Sequence, residues 1–351
     1  MIATTTQFDP LCVSSQLAFR YVVDESAEWL PGVSPLRPAN RVPAQIGVRD
    51  APQLLKALRR LVAETIEEFE CGLLLSSGVD SAILAALLPR GSRVYTVRFA
   101  ALGALDESVR AAQYAQRNGL HHRVITVTWT DYEQHADFLM QHKRSPLHPV
   151  EVGLFLAAQV ARDDGLDTLL VGNGADTTFG GLDQLLSRDW TLDEFIKRYS
   201  FLAPESVLEQ PVSVREVFAA YDTPHGFNVA DFLKEIHGAG VAQAFNNAIT
   251  AAGCASVEPY ESLQLDAPLD LALIRRGESK YLLREVFQHL YPNLPVPTKI
   301  AFARPMDSWL KAWRGPSRRE FIEGCEIGCF SGEQKWLLYN LERFMDLFGT
   351  E

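Results

Sequence analysis

The stretch from residue 71 to residue 88 constrains the fold of this chain more than any other segment does. It reads Cys-Gly-Leu-Leu-Leu-Ser-Ser-Gly-Val-Asp-Ser-Ala-Ile-Leu-Ala-Ala-Leu-Leu. The apolar run 73–75 is typical of a buried strand, the small residues 76–78 of a turn, and the apolar spacing from Ile83 onward of a helix. The stretch therefore predicts a loop between a strand and a helix, whose N–H groups and serine hydroxyls favour an anion.

Asp80 is the residue of this loop that indicates a metal. A carboxylate beside an anion site repels phosphate unless a cation lies between them, so we interpret Asp80 as a Mg²⁺ ligand that faces phosphate oxygens. The alternative is that Asp80 caps the helix N-terminus and that the loop binds no ligand. No Gly-Lys-Ser/Thr sequence closes the loop, which excludes a phosphate loop of the Walker type.

Strand and helix patterns alternate around this loop. Further strands are predicted at 93–99, 123–129 and 168–172. The helices beside them are predicted at 51–69, 106–118, 131–143 and 150–164. This alternation predicts an α/β fold with a doubly wound parallel sheet. Strand signals fade after residue 185, so we expect a helical C-terminal half, with helices at 191–200, 213–221, 227–237, 241–252, 278–290, 305–313 and 332–348.

Residues 1–50 differ in pattern from the rest of the chain. Phe19–Val23 is typical of a strand, and five prolines from Pro31 to Pro52 favour irregular backbone. We therefore expect 1–50 to be a lead-in segment and 51–351 to be one domain built on the sheet.

A second glycine-rich segment follows the strand at 168–172. Residues 171–181 read Val-Gly-Asn-Gly-Ala-Asp-Thr-Thr-Phe-Gly-Gly, and their glycines allow backbone to approach a ligand closely. Loops at the carboxyl ends of parallel strands meet at one edge of the sheet, so this segment and residues 76–81 face one pocket. Asp176 then supplies a second carboxylate for the metal that Asp80 holds. The alternative is an ordinary glycine-rich loop with a surface aspartate.

Composition excludes several classes of protein. The formal net charge of −11 and the lack of basic runs disfavour a nucleic-acid surface. No apolar stretch reaches about 18 residues, and the N-terminus lacks a signal-peptide pattern, so we expect no membrane partner. The five cysteines are odd in number and irregular in spacing, which argues against a disulfide framework and favours the reducing cytoplasm. The sequence does not predict an oligomeric state.

Residues 76–81 resemble the Ser-Gly-Gly-x-Asp-Ser loop of the ATP pyrophosphatases, with Ser77 at the usual first glycine. Together with 171–181, they make the chain resemble the synthetase domain of the asparagine synthetase family, which includes β-lactam and carbapenam synthetases and lasso-peptide cyclases. Further segments resemble that family's motifs. These are Asp106-Glu107, His121-His122, Lys280-Tyr-Leu-Leu-Arg284 and the loop Pro297-Thr-Lys299-Ile-Ala-Phe302-Ala-Arg-Pro305, in which Pro297 and Ala301 replace the family's Arg and Gly.

The resemblance implies a two-step, AMP-forming reaction. A substrate carboxylate attacks the α-phosphate of ATP, and an amine then attacks the acyl-adenylate to form an amide. ATP and Mg²⁺ are the implied cofactors, with Asp80 and Asp176 as metal ligands and Lys299 and Lys280 as the cations that neutralise charge. The residues that the resemblance assigns to the nucleotide are Leu75, Ser76, Ser77, Gly78, Asp80, Ser81, Val97, Gly172 and Gly174.

Two departures from the family pattern affect the expected substrates. The family's usual glutaminase domain begins with a cysteine after the initiator Met, whereas Ile2 follows Met1 here. We therefore expect the amine to arrive free, from a partner chain, or as part of the substrate. Asn173 replaces the family's Glu in Gly-Glu-Gly, and an amide cannot act as a base. A nucleophile that needs little deprotonation, or another base such as Glu258 or Tyr260, fits this departure.

Two other functions fit parts of the pattern. The departures at motif positions Ser77, Asn173 and Ala301 are compatible with a degenerate ATP-binding or scaffold partner of a separate amidotransferase. A tRNA-modifying enzyme with the same loop is the third reading, and the net charge of −11 argues against it. The leading prediction is an amide-forming ligase for small-molecule substrates, which we associate with specialised biosynthesis.

Overall fold

The structure of the protein is a computed structural model that describes residues 7–37, 46–298 and 304–349. Its centre is a five-stranded parallel sheet with the order β4-β3-β2-β5-β8. Leu73 of β2 pairs with Val94 of β3 on one side and with Leu170 of β5 on the other. The strands of the described residues are β1 Ile46–Val48, β2 Cys71–Leu74, β3 Arg93–Phe99, β4 His121–Val127, β5 Thr168–Leu170, β6 Asp222–Thr223, β7 Gly226–Phe227, β8 Ala255–Val257 and β9 Leu263–Leu265.

Helices surround this sheet and are the main regular structure of the chain after β5. In the first half they are α1 Pro10–Phe19, α2 Ala51–Glu68, α3 Val79–Leu87, α4 Ser108–Asn118, α5 Trp129–Lys143 and α6 Glu151–Asp163. After β5 they are α7 Ala175–Thr178, α8 Asp183–Leu186, α9 Leu192–Tyr199, α10 Arg215–Ala219, α11 Val229–Phe232, α12 Gly238–Ala251, α13 Leu271–Arg275, α14 Tyr281–Leu290, α15 Met306–Trp309 and α16 Gly332–Phe348. A π-helical turn, Leu233–His237, joins α11 to α12. No helix among the described residues is long and apolar enough to cross a membrane.

The sheet is covered by helices on both faces, because alternate residues of each strand point to opposite sides. Leu74 and Leu169 pack with α5, α6, α12 and α16 in one core cluster. Leu73 and Leu170 pack with α2, α3, α4 and α14 in another. The doubly wound parallel sheet predicted from the sequence is therefore confirmed, as is its helical C-terminal half.

The predicted strand at Phe19–Val23 is wrong. Asp9 accepts hydrogen bonds from the N–H groups at residues 11 and 12, and Pro10 occupies the first helical position, so α1 begins here and extends to Phe19. Arg20 then adopts a left-handed conformation that ends the helix. The Tyr21 carbonyl and the Val23 N–H then form hydrogen bonds with the Ser15 hydroxyl rather than with a neighbouring strand.

Strands after residue 185 are the other difference from the prediction. Ala255–Val257 adds to the sheet edge as β8, parallel to β5, and β1 pairs in parallel with β9. Each of these strands has only three residues, too few for a period-two pattern to show in the sequence.

Candidate functional site

The loop after β2 closes on itself through its own serines. The Ser76 N–H donates to Oγ of Ser81 over 3.0 Å, and the two hydroxyl oxygens are 2.8 Å apart. The Gly78 N–H donates to Oγ of Ser76 over 3.2 Å. Helix α3 begins at Val79 without a side-chain cap, so its first N–H groups point toward this small-residue turn. The loop therefore places serine hydroxyls beside the uncapped N-terminus of α3, as the sequence predicted, while the amides of Ser76 and Gly78 bond within the loop.

Ser77 replaces the family's glycine and has its own partner. Its N–H and its hydroxyl both donate to Oε2 of Glu107, over 3.0 and 2.8 Å. Both residues are buried, so the carboxylate receives two hydrogen bonds away from water. The departure at Ser77 thus adds a contact that fixes the loop against the start of α4.

The loop after β5 brings the second carboxylate to the same edge of the sheet. Gly174 has a φ of +86°, a conformation that side chains rarely adopt, and it begins the short helix α7. Asp176 lies in the first turn of α7. A Cβ atom at Gly181 would overlap the Asp176 carboxylate and Cε of Lys280, so glycine is required where these two side chains meet.

Lys280 joins the two carboxylates. Its Nζ lies 2.6 Å from Oδ2 of Asp80 and 2.9 Å from Oδ1 of Asp176. Burial disfavours the ammonium, but the two carboxylates outweigh it and raise the pKa of Lys280 above its usual value. The backbone of Lys280 has a φ of 54°, in the left-handed region, immediately before α14. An unfavourable backbone conformation at the residue that meets both carboxylates is typical of a functional position.

This contact tests whether the residues suit Mg²⁺. One cation, the Lys280 ammonium, lies within 3 Å of both carboxylates, so Asp80 and Asp176 converge as ligands of one ion must. Among the described residues, no group of three His, Cys, Asp or Glu side chains is arranged around a metal position. Two carboxylates with other oxygens supplied by phosphate and water fit Mg²⁺, which keeps few protein ligands.

Tyr260 contacts the backbone of Asp80 from the protein interior. Its hydroxyl donates to the carbonyl oxygen of Asp80 over 2.9 Å, and its side chain is fully buried. Burial, and then the charge of Asp80, raise the pKa of Tyr260 well above its usual value. A neutral phenol that already donates its proton does not suit the role of base, so we assign Tyr260 a structural role instead of the catalytic one considered from the sequence.

Asn173 and Glu258 lie in contact at the carboxyl end of β5. Nδ2 of Asn173 donates to Oε2 of Glu258 over 3.0 Å. Glu258 follows β8, the strand beside β5, which explains why two residues distant in sequence meet. The carboxylate considered as an alternative base therefore adjoins the residue that replaces the family's Glu.

Most of the site residues predicted from the sequence line one cavity of about 400 Å³. The predicted residues that line it are Leu75, Ser76, Gly78, Asp80, Ser81, Val97, Gly172, Asn173, Asp176 and Lys280. Ser77 is bonded to Glu107, Gly174 adjoins Glu261, and Glu258 contacts Asn173. Lys299 lies outside the described residues, although Pro297, Thr298 and Arg304 on either side of its loop line the cavity.

Sequence reasoning missed several residues of this cavity. His148, Val150 and Leu154 come from the segment that enters α6, and Val241 and Phe245 come from α12. No motif marks them, because they are ordinary residues of two helices and of the turn before α6, which the fold brings to the edge of the sheet.

Comparison with known proteins agrees with this geometry. A family model for asparagine synthase matches residues 53–248, more than half of the chain. No curated protein matches the chain significantly. Among solved structures, it is similar to the U34-tRNA thiolase NcsA from Methanococcus maripaludis with its 4Fe-4S cluster. That similarity has 14% identity and a TM-score of 0.25, with 70% of this chain and 82% of that chain covered, and it carries no inference about activity. The chain places both loops that resemble this family at one cavity. The match of the family model over more than half of the chain shows that this protein belongs to the asparagine synthase family.

Proposed function

We propose that this protein is an ATP-dependent ligase that forms AMP and pyrophosphate while joining a carboxylate to an amine. The observation that carries the proposal is the convergence of Asp80 and Asp176 on one cation, beside the serine loop and within one cavity. Membership of the asparagine synthase family supports an ATP-using reaction. Amide formation and its substrates are the part that we propose.

The first step takes place at the carboxyl edge of the sheet. A carboxylate oxygen of the substrate forms a bond to the α-phosphorus of ATP, and the bond to the bridging oxygen breaks to release pyrophosphate. Donors of the 76–81 loop would hold the phosphates, and Asp80 and Asp176 would hold Mg²⁺. When bound, the metal neutralises phosphate charge. Lys280 supplies a fixed positive charge in a buried site, where it acts strongly on negative charge that develops during the reaction.

In the second step, an amine nitrogen attacks the acyl carbon, and AMP departs as the C–O bond breaks. The amine loses a proton in this step. Asn173 cannot accept that proton, whereas Glu258, which contacts its amide, is a carboxylate at the same strand end. We therefore propose Glu258 as the proton acceptor and Asn173 as the group that orients it.

Exchange of radiolabelled pyrophosphate into ATP tests the first step alone, because no amine is needed. We expect exchange that depends on Mg²⁺ and on a carboxylic acid, found by screening amino and hydroxy acids. Asp80→Asn, which removes the charge of a proposed metal ligand, should abolish exchange. Asp189→Asn is the matched control, because Asp189 is an exposed aspartate that pairs with Arg275 away from the cavity. ATP binding without exchange for any acid would contradict the proposal and support the scaffold function instead.

A further inference from the structure

A second cavity lies between helices α2 and α14, apart from the cavity of the candidate site. Its volume is about 470 Å³, which is within the usual range of small-molecule pockets. Among the described residues, the two cavities have no lining residue in common. Helix α14 lies between them, because Arg284 lines the candidate site and the next residue, Glu285, lines the second cavity. The second cavity therefore offers a ligand position that the proposed reaction does not use.

The inner wall of the second cavity is apolar. Leu55 and Val286 line it, and both are buried members of the core cluster that α2, α3, α4 and α14 form. Ala51 and Pro52, the first two residues of α2, also line it, and their short side chains leave space between the two helices. Contact between this wall and a carbon-rich group removes apolar surface from water, which favours binding of such a group.

The outer rim of the cavity carries charged side chains. Lys56, Arg59, Glu285 and His289 line the cavity and are exposed to solvent. Lys56 and Arg59 lie three residues apart, so they share one face of α2. Within the described part of the chain, neither of these two side chains forms an ion pair or a hydrogen bond. Their charges are therefore available to a ligand in the cavity.

The charge of this rim favours an anion. Lys56 and Arg59 are both cationic at neutral pH, whereas Glu285 is the one carboxylate of the lining. Glu285 belongs to the opposite helix, α14, and pairs with neither of the two cations. The positive charge is thus in excess here, although the whole protein has a formal net charge of −11. Long lysine and arginine side chains can also cover the apolar part of a ligand with their methylene groups.

We propose that this second cavity binds a small organic anion, with its apolar part against Leu55 and Val286 and its charged group at Lys56 and Arg59. The inference does not depend on the proposed ligase function, because no residue of the candidate site takes part in it. A carboxylate and a phosphate ester offer these two cations the same chemistry, an acceptor group with negative charge. Glu285 opposes the anion and lowers its affinity.

Calorimetric titration with a matched series of ligands tests this inference. Octanoate, octyl phosphate, octanol and octylammonium have the same chain and differ in charge, whereas acetate and inorganic phosphate carry the charge without the chain. We expect octanoate or octyl phosphate to bind more tightly than each of the other four compounds. The tighter of the two shows whether the site prefers a carboxylate or a phosphate ester. Equal affinity for all compounds with the octyl chain, or tightest binding of octylammonium, would overturn the inference.

Variants at exposed positions locate the ligand without disturbing the core. The double variant Lys56→Gln/Arg59→Gln should weaken the preferred anion about tenfold or more, the usual effect of losing charged hydrogen bonds. Glu285→Gln should tighten it about twofold to fivefold, because exposed charges interact weakly. Arg60→Gln is the matched control, since Arg60 is exposed on the same helix and pairs with Glu64 outside the lining. No effect of the double variant, or an equal loss in Arg60→Gln, would contradict binding at this cavity.

Octanoate is also a carboxylic acid, so the experiment has to separate this cavity from the candidate site. The titration is repeated with Mg²⁺ and a non-hydrolysable ATP analogue, and we expect the affinity for the anion to persist. Displacement of the anion by the analogue would place it in the candidate site and overturn the inference. Anion binding that depends on Lys56 and Arg59 without any pyrophosphate exchange would support this cavity while contradicting the ligase. Exchange without such binding would support the ligase and overturn this inference.

Discussion

The Nζ atom of Lys280 lies 2.6 Å from a carboxylate oxygen of Asp80, across 200 residues of sequence. The same atom lies 2.9 Å from Asp176, so a lysine occupies the position between the two proposed metal ligands. If Asp80 and Asp176 hold Mg²⁺ as we propose, the metal and the ammonium would share the same oxygens, so we expect the two cations to compete for them.

Replacing Lys280 with Met tests this competition. We expect Mg²⁺ to raise the melting temperature of Lys280→Met more than that of the wild type in the absence of nucleotide, because two adjacent carboxylates then lack the ammonium. The same variant should lose about 10²–10³-fold in kcat, the usual effect of removing a group that stabilises the transition state. Thermal melts across a Mg²⁺ titration give the first result. Lys280→Arg, which keeps the positive charge, should show no larger Mg²⁺ effect than the wild type, and an equal Mg²⁺ effect in Lys280→Met would contradict the competition.

Gly181→Ala should disrupt the site by filling the space where Asp176 and Lys280 meet. The new Cβ would overlap both side chains and lie 2.9 Å from Cα of Asp176, which cannot yield without moving α7. We expect a loss of pyrophosphate exchange in a protein that still folds, as measured by circular dichroism. Gly328→Ala serves as the control, because no heavy atom lies within 4 Å of its added methyl group. Full activity of Gly181→Ala would show that the two side chains need not meet.

Ser77→Gly restores the residue that the family usually has. The substitution removes the hydroxyl bond to Glu107 and adds backbone freedom in the unfolded chain, so we expect a loss of about 1–2 kcal/mol in the free energy of unfolding. Activity should persist, because the Ser77 N–H still donates to Glu107. Urea unfolding and pyrophosphate exchange on the same preparation measure both. Loss of exchange at unchanged stability would instead give the Ser77 hydroxyl a role in the reaction.

The free energy of unfolding should decrease in mild acid because His148 gains a proton when the protein unfolds. Its folded pKa is lowered, so the unfolded chain binds a proton that the folded chain does not, and stability is lost as pH falls below about 6.5. Between pH 7.5 and 5.5 one such histidine contributes about 1.4 kcal/mol. His148→Gln should reduce the difference between the urea unfolding free energies at these two pH values by that amount. An unchanged difference would mean that folding does not lower the pKa of His148.

Much of this site is predictable from the sequence because its parts lie at strand ends. Each loop adjoins an apolar strand with a clear pattern, and parallel strands bring their carboxyl ends to one edge. That reasoning predicted that Asp80 and Asp176 face one pocket, and both residues line the cavity. It did not predict that Lys280 bridges them. Lys280 precedes α14, and no local sequence pattern indicates where the N-terminus of a helix from the C-terminal half packs.

The missed elements share a different cause. Helix α1 is buried on all sides, and its buried residues include Ser14, Ser15 and Gln16 as well as apolar side chains, so it shows no single apolar stripe. A charged group beside the cavity is formed by Arg20 at the end of α1, His148 before α6, Arg304 before α15 and Glu333 in the first turn of α16. Such a group has no spacing to recognise, and only tertiary packing assembles it.

The products of ATP cleavage test the central claim most directly. ATP labelled at the α-phosphate is incubated with the protein, Mg²⁺, and a carboxylic acid and amine identified by screening, and the labelled nucleotide is separated by chromatography. We predict AMP, with an equal amount of pyrophosphate, and none of either with Asp80→Asn. Labelled ADP with orthophosphate, or undiminished AMP formation by Asp80→Asn, would contradict the claim.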